Sequence, residues 1–300
     1  MKFSTLFSFA LAALSVNALP KAAVQRRADA IDDTTVLNFA LTLEHLENAF
    51  YAGALEKFDE GAFKKAGLPS WARGRFVQIA AHEAAHVKFL SDALGDKATK
   101  PCTYNFPYTD PKTFAALSMA LEGVGVSAYA GAAQFITNKQ YLTAAAVVLS
   151  TEARHASWVA GAVNKLESWS GALDVPLGLN QVFTLAASFI TSCPSTNPAL
   201  PVKAFPTLTL TTAGNKAGSS GTVAYNGSSS ASGTAVAFYT GLSTIFAPIK
   251  DGKFTLPEGL MGTVYAVVSS NATSVSDESI LAGPAILEIN FNSDNTLVKK

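Results

Sequence analysis

Apolar side chains recur at three- and four-residue steps from residue 32 to about residue 191, which is the spacing of helices that bury one face. Asp33-Thr34-Thr35 can cap the first helix, and Asp110-Pro111 resembles an N-cap followed by proline at the first helical position. The pattern predicts a four-helix bundle with a short fifth helix, over residues 33–58, 69–95, 111–137, 140–171 and 180–192.

A different pattern begins after residue 201, where short alternating segments rich in β-branched residues are separated by Gly, Asn, Ser and Pro. About seven such strands predict a β-sandwich-like domain over residues 202–300. The alternative is a loosely ordered tail, because residues 218–233 are low in complexity. Residues 194–201 hold three prolines and are predicted to link this domain to a helical domain over 28–193. The predicted fold class is therefore α+β, with two domains.

The first 18 residues have the layout of a secretory signal peptide. Lys2 precedes a short apolar run, and Val16 and Ala18 supply small residues at positions −3 and −1 of the predicted cleavage site. Residues 19–27 end in Arg26-Arg27, which predicts a propeptide with a dibasic processing site; the alternative is a merely basic linker. Removal of residues 1–27 would leave an excess of four acidic residues, so the mature protein would be mildly acidic.

The full sequence has a formal net charge of zero, which gives no reason to expect nucleic acid or an anionic membrane as a partner. No later stretch is long and uncharged enough to suggest a membrane span. Cys102 and Cys193 are the only cysteines, and outside the cell they are expected to form a disulfide rather than remain free thiols. Asn226 and Asn271 begin glycosylation motifs. These features predict a secreted or cell-wall glycoprotein.

An internal repeat in the helical region carries the candidate chemistry. Leu43-Glu44 is followed after six residues by Tyr51-Ala-Gly-Ala, and Leu121-Glu122 is followed after six residues by Tyr129-Ala-Gly-Ala. A Glu-x-x-His pair occurs on each of the other two predicted helices. The resulting candidate metal ligands are Glu44, Glu83, His86, Glu122, Glu152 and His155.

The spacing of these residues has a physical reason. Side chains three positions apart lie on one face of a helix, so each Glu-x-x-His pair can direct a carboxylate and an imidazole to one point. Four carboxylates inside an apolar bundle would repel one another, and two divalent cations would neutralise that charge. Oxygen-rich ligation with two imidazoles suits two Fe or Mn ions, and Zn is also compatible. The alternative is a bundle that has lost its metal and keeps these residues as a buried polar network.

The constellation resembles that of the ferritin-like superfamily of di-iron and di-manganese carboxylate proteins. More narrowly, residues 33–51 are similar to the opening of secreted ferritin-like proteins of fungi and plants, some of which are described as stress-response or desiccation-related. The resemblance covers residues 32–192. It implies that Glu83 and Glu152 bridge two metals and that Glu44 and Glu122 are terminal ligands. It also implies that each metal takes one histidine.

Other polar residues lie near these motifs in the sequence. Glu47 competes with Glu44 as the ligand on the first helix, but only Glu44 shares the repeat with Glu122. Tyr51 and Tyr129 either hydrogen-bond carboxylates beside the metal or simply pack. His82 and His45 point away from the glutamates next to them, which predicts a surface or supporting role for His82 and a structural role for His45.

Three classes of function fit the sequence. The first is redox chemistry on peroxide or O₂ at a dinuclear centre, in protection against oxidants or other stress. The second is extracellular metal binding without turnover. The third is a structural protein of the cell wall or surface. Its β-domain could contact carbohydrate, but no sequence feature decides this. The sequence holds no Cys-x-x-Cys iron site, hydrolase signature, phosphate loop or dinucleotide fingerprint, and it does not fix whether the protein is an enzyme or an oligomer.

Overall fold

Four long helices make up the N-terminal part of the computed structural model, which describes residues 31–214, 216–225, 234–294 and 296–298. A short helix α2 separates the first two long helices, and a further short helix α6 follows the fourth. Their bounds are α1 Asp33–Lys57, α2 Glu60–Lys65, α3 Ala72–Leu94, α4 Pro111–Ala132, α5 Lys139–Trp158 and α6 Leu179–Ala187. α1 packs mainly on α3, and α4 packs mainly on α5.

The helix starts follow local capping chemistry. The N-cap of α1 is Asp32, one residue earlier than predicted, and its carboxylate accepts a hydrogen bond from the Thr35 backbone N–H. Asp33 instead accepts from the backbone N–H groups of Thr137 and Asn138, at 2.7 and 2.9 Å, and so ties the start of α1 to the start of α5. Asp110 caps α4, with Pro111 at the first helical position as predicted.

Three predicted helix ends were too late. The third bundle helix, predicted to residue 137, ends at Ala132 and continues only as a 3₁₀ turn. The fourth was predicted to run to Gly171, but α5 ends at Trp158 and is followed by one π-helical turn, Val159–Val163. Lys165 then takes a positive φ of 58°, which a right-handed helix cannot accommodate. The fifth helix, predicted to residue 192, ends at Ala187 because the chain turns into a strand.

That strand belongs to a two-stranded sheet closed by the disulfide. Strands β1 (Thr103–Tyr104) and β2 (Ile190–Ser192) pair antiparallel, directly beside the bond between Cys102 and Cys193. The predicted disulfide is therefore confirmed, whereas the two strands were not predicted. Together they fasten the loop before α4 to the chain after α6.

Within the described residues, seven further strands form two antiparallel sheets, which confirms the predicted α+β layout. Their bounds are β3 Leu208–Thr212, β4 Ser220–Tyr225, β5 Ala235–Thr240, β6 Ser243–Pro248, β7 Lys253–Thr255, β8 Gly262–Ser269 and β9 Ile280–Ile289. The strand orders are β3-β4-β7 and β6-β5-β8-β9. Phe238 of one sheet and Phe254 of the other meet in a shared apolar core, with ring centroids 5.7 Å apart.

The sheet region rests on α4 and α6. Tyr265 of β8 is buried against α4, where its hydroxyl accepts from Ser127 and donates to the Gly123 carbonyl, at 2.9 and 3.1 Å. Gly131, the glycine of the second repeat, lets the chain just before α6 approach α4 closely, because a Cβ there would lie 1.8 Å from the Leu177 carbonyl oxygen. These contacts fix the position of α4, which carries Glu122.

Within the described residues, one helix, Pro111–Phe135, is long and apolar enough to span a membrane by length and composition. It lies in the bundle, where most of its apolar face is buried. Asn271 is exposed, whereas the predicted signal peptide, the propeptide and Asn226 lie outside the described residues. The domain and linker boundaries remain predictions.

Candidate metal centre

The bundle brings all six candidate ligands together from four different helices. α1 and α4 each supply one glutamate, and α3 and α5 each supply a Glu-x-x-His pair. None of the four glutamates is more than 1% exposed. The side chain of His155 is 7% exposed and that of His86 is 12% exposed, so the cluster is closed except on its histidine side.

Each histidine directs Nδ1 at carboxylate oxygens. His86 Nδ1 lies 3.2 Å from Glu44 Oε2 and 3.3 Å from an oxygen of each of Glu83 and Glu152. One ring nitrogen cannot hydrogen-bond well to three carboxylates. His155 Nδ1 repeats the arrangement on the other side, 3.0 Å from a carboxylate oxygen of α4 and 3.4 Å from Glu83 Oε1.

The donor atoms divide into two overlapping groups. In each group one oxygen or nitrogen from every residue lies within 4.8 Å of the others, which is close enough to hold one metal ion. Glu83 and Glu152 belong to both groups. The first group also contains Glu44 and His86, and the second also contains Glu122 and His155. The cluster is therefore compatible with a dinuclear site.

A second observation shows that the cluster suits cations. All four carboxylate oxygens of Glu83 and Glu152 are buried and accept no well-aligned hydrogen bond from the described residues. Buried carboxylates without donors are costly, and a metal ion is one way to compensate them. Carboxylate oxygens with two imidazoles form a donor set that suits Fe or Mn and is compatible with Zn.

The ionisation of the glutamates reflects their burial. Burial raises the pKa of Glu44 and of Glu122 to about 8. Burial, and then repulsion by neighbouring carboxylates, raises the pKa of Glu152 well above its ordinary value. Without a cation, the cluster therefore holds protons that a metal would have to displace.

Unlike the protonated glutamates, Glu83 and His86 are charged, Glu83 negatively and His86 positively. Burial opposes ionisation of Glu83, yet the nearby imidazoles of His155 and His86 outweigh it and lower the pKa to about 2. Burial disfavours the charged form of His86 too, but its contacts with Glu152, Glu44 and Glu83 outweigh burial and raise the pKa to about 12. A positive charge is therefore stabilised at the point where the carboxylates converge.

The repeat tyrosines hold the two outer glutamates in a reciprocal manner. The hydroxyl of Tyr129, on α4, donates to Glu44 Oε1 on α1, and that of Tyr51, on α1, donates to Glu122 Oε1 on α4. In both glutamates the second oxygen faces a histidine. The tyrosines thus hydrogen-bond candidate ligands rather than only packing. Ser118, which lies 2.7 Å from the Tyr51 hydroxyl, joins this network and was not predicted.

Glu47 is buried beside the cluster but belongs to neither group. Burial, followed by repulsion from Glu152, raises its pKa well above the ordinary value. Gly125 of α4 makes room for both side chains, because a Cβ there would lie 2.9 Å from Glu152 Oε2 and 3.3 Å from Glu47 Oε1.

The remaining two histidines play different parts. His45 lies 3.1 Å from the Thr99 carbonyl oxygen, away from the cluster. His82 is exposed, its ring lies nearly parallel to that of His155, and its Nδ1 is 2.9 Å from His155 Nε2. The sequence predicted a surface or supporting role for His82 but gave no sign of this contact, because the two rings come from separate helices.

Comparison with known proteins agrees with this architecture. Residues 32–165 match a family model described as a ferritin-like domain. Protein rds1 of Schizosaccharomyces pombe is 28% identical over 187 residues, which are 59% of this chain and 44% of that protein. The match thus spans less than half the length of this curated relative. Residues 32–165 form a ferritin-like region, followed by a region of antiparallel sheets.

Proposed function

We propose that this protein is a secreted ferritin-like protein whose bundle binds a dinuclear Fe or Mn centre. In this proposal Glu83 and Glu152 bridge the two ions, Glu44 and Glu122 are terminal ligands, and each ion takes one histidine. The observation that carries the proposal is the position of Glu83 and Glu152, which are shared by both donor groups and have four buried oxygens without well-aligned hydrogen bonds.

We assign the centre to chemistry on peroxide or O₂, in protection against oxidants or another stress. A bound Fe or Mn pair supplies the change of oxidation state that such chemistry needs. The chain supplies the rest: Tyr51 and Tyr129 orient the outer glutamates, and the bundle shields the carboxylates from water. Among the described residues of the cluster, the histidines are the most exposed, so a small substrate would approach from their side.

Secretion is supported by the disulfide. The bond between Cys102 and Cys193 is consistent with an extracellular protein, because disulfides persist in oxidising compartments and are rare in reducing ones. It agrees with the signal peptide predicted over residues 1–18. N-terminal sequencing of protein recovered from the culture medium tests this part: a mature N-terminus near residue 28 is expected, and retention of the full chain inside cells would contradict it.

Metal content tests the centre itself. We expect elemental analysis of the reconstituted full chain to give about two ions per chain, and Glu83→Gln/Glu152→Gln to give almost none. Glu56→Gln is the matched control, because Glu56 lies exposed on α1 and its replacement removes a carboxylate without touching the cluster. Metal content that is negligible in the wild type, or equal in the wild type and the double variant, would overturn the proposed ligands.

Turnover separates an enzyme from a binding protein. The metal-loaded protein is expected to evolve O₂ from peroxide or to oxidise Fe²⁺, with the double variant as the inactive reference. A loaded protein that does neither would instead be an extracellular metal-sequestering protein. A protein that takes up no metal would retain the cluster only as a polar network in a structural protein.

A further inference from the structure

A cleft between α3 and α5 opens directly over the histidine side of the cluster. This histidine cleft is lined on α3 by Arg75, His82 and His86, and on α5 by Thr151, Arg154 and His155, and it encloses about 520 Å³. Among the described residues, no carboxylate lines it. Its surface is therefore cationic, although an acidic cluster lies immediately behind it.

Most hydrogen-bond donors of the two arginines have no partner among the residues that the structure describes. Arg75 donates to Gln78 at 2.5 Å and Arg154 donates to Thr151 at 3.1 Å, each to a neighbour on its own helix. Within the described part of the chain, neither guanidinium forms an ion pair, whereas Lys88, further along α3, pairs with Asp92 at 2.6 Å. A guanidinium has five N–H groups, so each arginine retains donors that can face the cleft.

His82 adds a third donor and connects the cleft to the centre. If His155 uses Nδ1 toward a metal, its proton lies on Nε2 and is donated to His82 Nδ1, 2.9 Å away. The neutral His82 ring then carries its own proton on Nε2. That atom belongs to an exposed ring that lines the cleft, so it is available to an acceptor there.

We infer that the histidine cleft binds a small oxyanion, either a carboxylate or an inorganic anion such as phosphate. Three sets of donors and no lining carboxylate favour an acceptor-only ligand with two or more oxygens, which suits guanidinium groups. The inference rests on the proposed function for the His82 donor, because its proton position follows from a metal at His155, whereas the arginine donors belong to the chain itself.

Histidine NMR can test this directly, because the sequence has only four histidines. The full chain, metal-free and separately loaded with Zn²⁺, is titrated with phosphate, with acetate, and with chloride at matched ionic strength. We expect phosphate or acetate to shift the ring signals of His82 and His155 and to leave His45 unmoved. Whichever of the two anions binds more tightly identifies the preferred source of the oxyanion.

Variants assign the effect to the arginines. Arg75→Gln and Arg154→Gln should each weaken anion binding about tenfold, because each removes charge-assisted hydrogen bonds. Lys88→Gln removes the same charge from α3 outside the cleft and should leave the affinity unchanged. Unchanged affinity in an Arg75→Gln/Arg154→Gln double variant, or equal shifts with chloride, would overturn the inference. The metal-free titration distinguishes this failure from failure of the metal site, which appears only as absent Zn²⁺ uptake.

Discussion

Raising the pH from 5 to 8 is expected to destabilise the metal-free protein. The pKa of Glu44 and of Glu122 is raised from 4.5 to about 8 by burial, so these groups stay protonated in the folded state after they ionise in the unfolded chain. The stabilising contribution of such a group is complete below pH 4.5 and is lost as the pH rises through 8. Over this range one carboxyl lowers the free energy of unfolding by on the order of 4 kcal/mol.

His86 and Glu83 do not reverse this trend. The pKa of His86 is raised to about 12, so its contribution also falls as the pH rises above 6.5. Glu83 has the opposite sign, but its pKa is lowered from 4.5 to about 2, so its contribution is lost only as the pH falls through that lower window. The expected change between pH 5 and 8 is therefore a loss of stability.

Urea denaturation of the full chain with a chelator present measures this effect. The free energy of unfolding should fall between pH 5 and 8, and Glu44→Gln/Glu122→Gln should flatten the slope. Added Zn²⁺ should stabilise the wild type more strongly at pH 8 than at pH 5, because metal binding displaces the protons. A metal-free stability that is constant or rises over this range would refute the assigned ionisation states.

Three further perturbations have defined outcomes. Tyr51→Phe and Tyr129→Phe should each reduce Zn²⁺ affinity by about 10- to 100-fold, and to a similar extent, because their contacts are reciprocal. Unchanged Zn²⁺ affinity of both variants in titrations would contradict the role of the tyrosines in holding the glutamates. Gly125→Ala places a Cβ 2.9 Å from Glu152 Oε2, so metal uptake should fall while the far-UV spectrum is retained; unaltered uptake would show that Glu152 can move freely. Cys102→Ser/Cys193→Ser removes a disulfide between residues 91 positions apart and should lower the free energy of unfolding, measured by urea denaturation, by about 4–5 kcal/mol. An unchanged urea midpoint would show that the disulfide does not stabilise the fold.

The bundle could be predicted from the sequence because each helix has its own apolar periodicity and the ligand motif occurs twice. The apolar period predicts each long helix, and the two copies of the Leu-Glu-x6-Tyr-Ala-Gly-Ala pattern single out Glu44 over Glu47. The structure adds a reason for the repeated tyrosine: each one donates to the glutamate of the other copy. Such an exchange requires α1 and α4 to face each other, which spacing alone does not show.

The features that were not predicted depend on contacts between distant residues or on subtle local geometry. Apolar residues continue past Trp158, so nothing in their period marks the end of α5 before the positive φ at Lys165. The Asp59-Glu60-Gly61 segment indicates a break, but Asp59 also caps the six-residue helix α2. The pairing of β1 with β2 joins residues almost ninety positions apart, and the contact between His82 and His155 joins two helices. These need the folded chain.

The central claim is that Glu83 and Glu152 join two metal ions in one site. Electron paramagnetic resonance of the full chain titrated with Mn²⁺ tests it most directly, because two manganese ions bridged by carboxylates couple magnetically. At two equivalents we predict a coupled dinuclear spectrum, which should be lost in Glu83→Gln/Glu152→Gln. A six-line spectrum of isolated Mn²⁺ that saturates at one equivalent would contradict the dinuclear site.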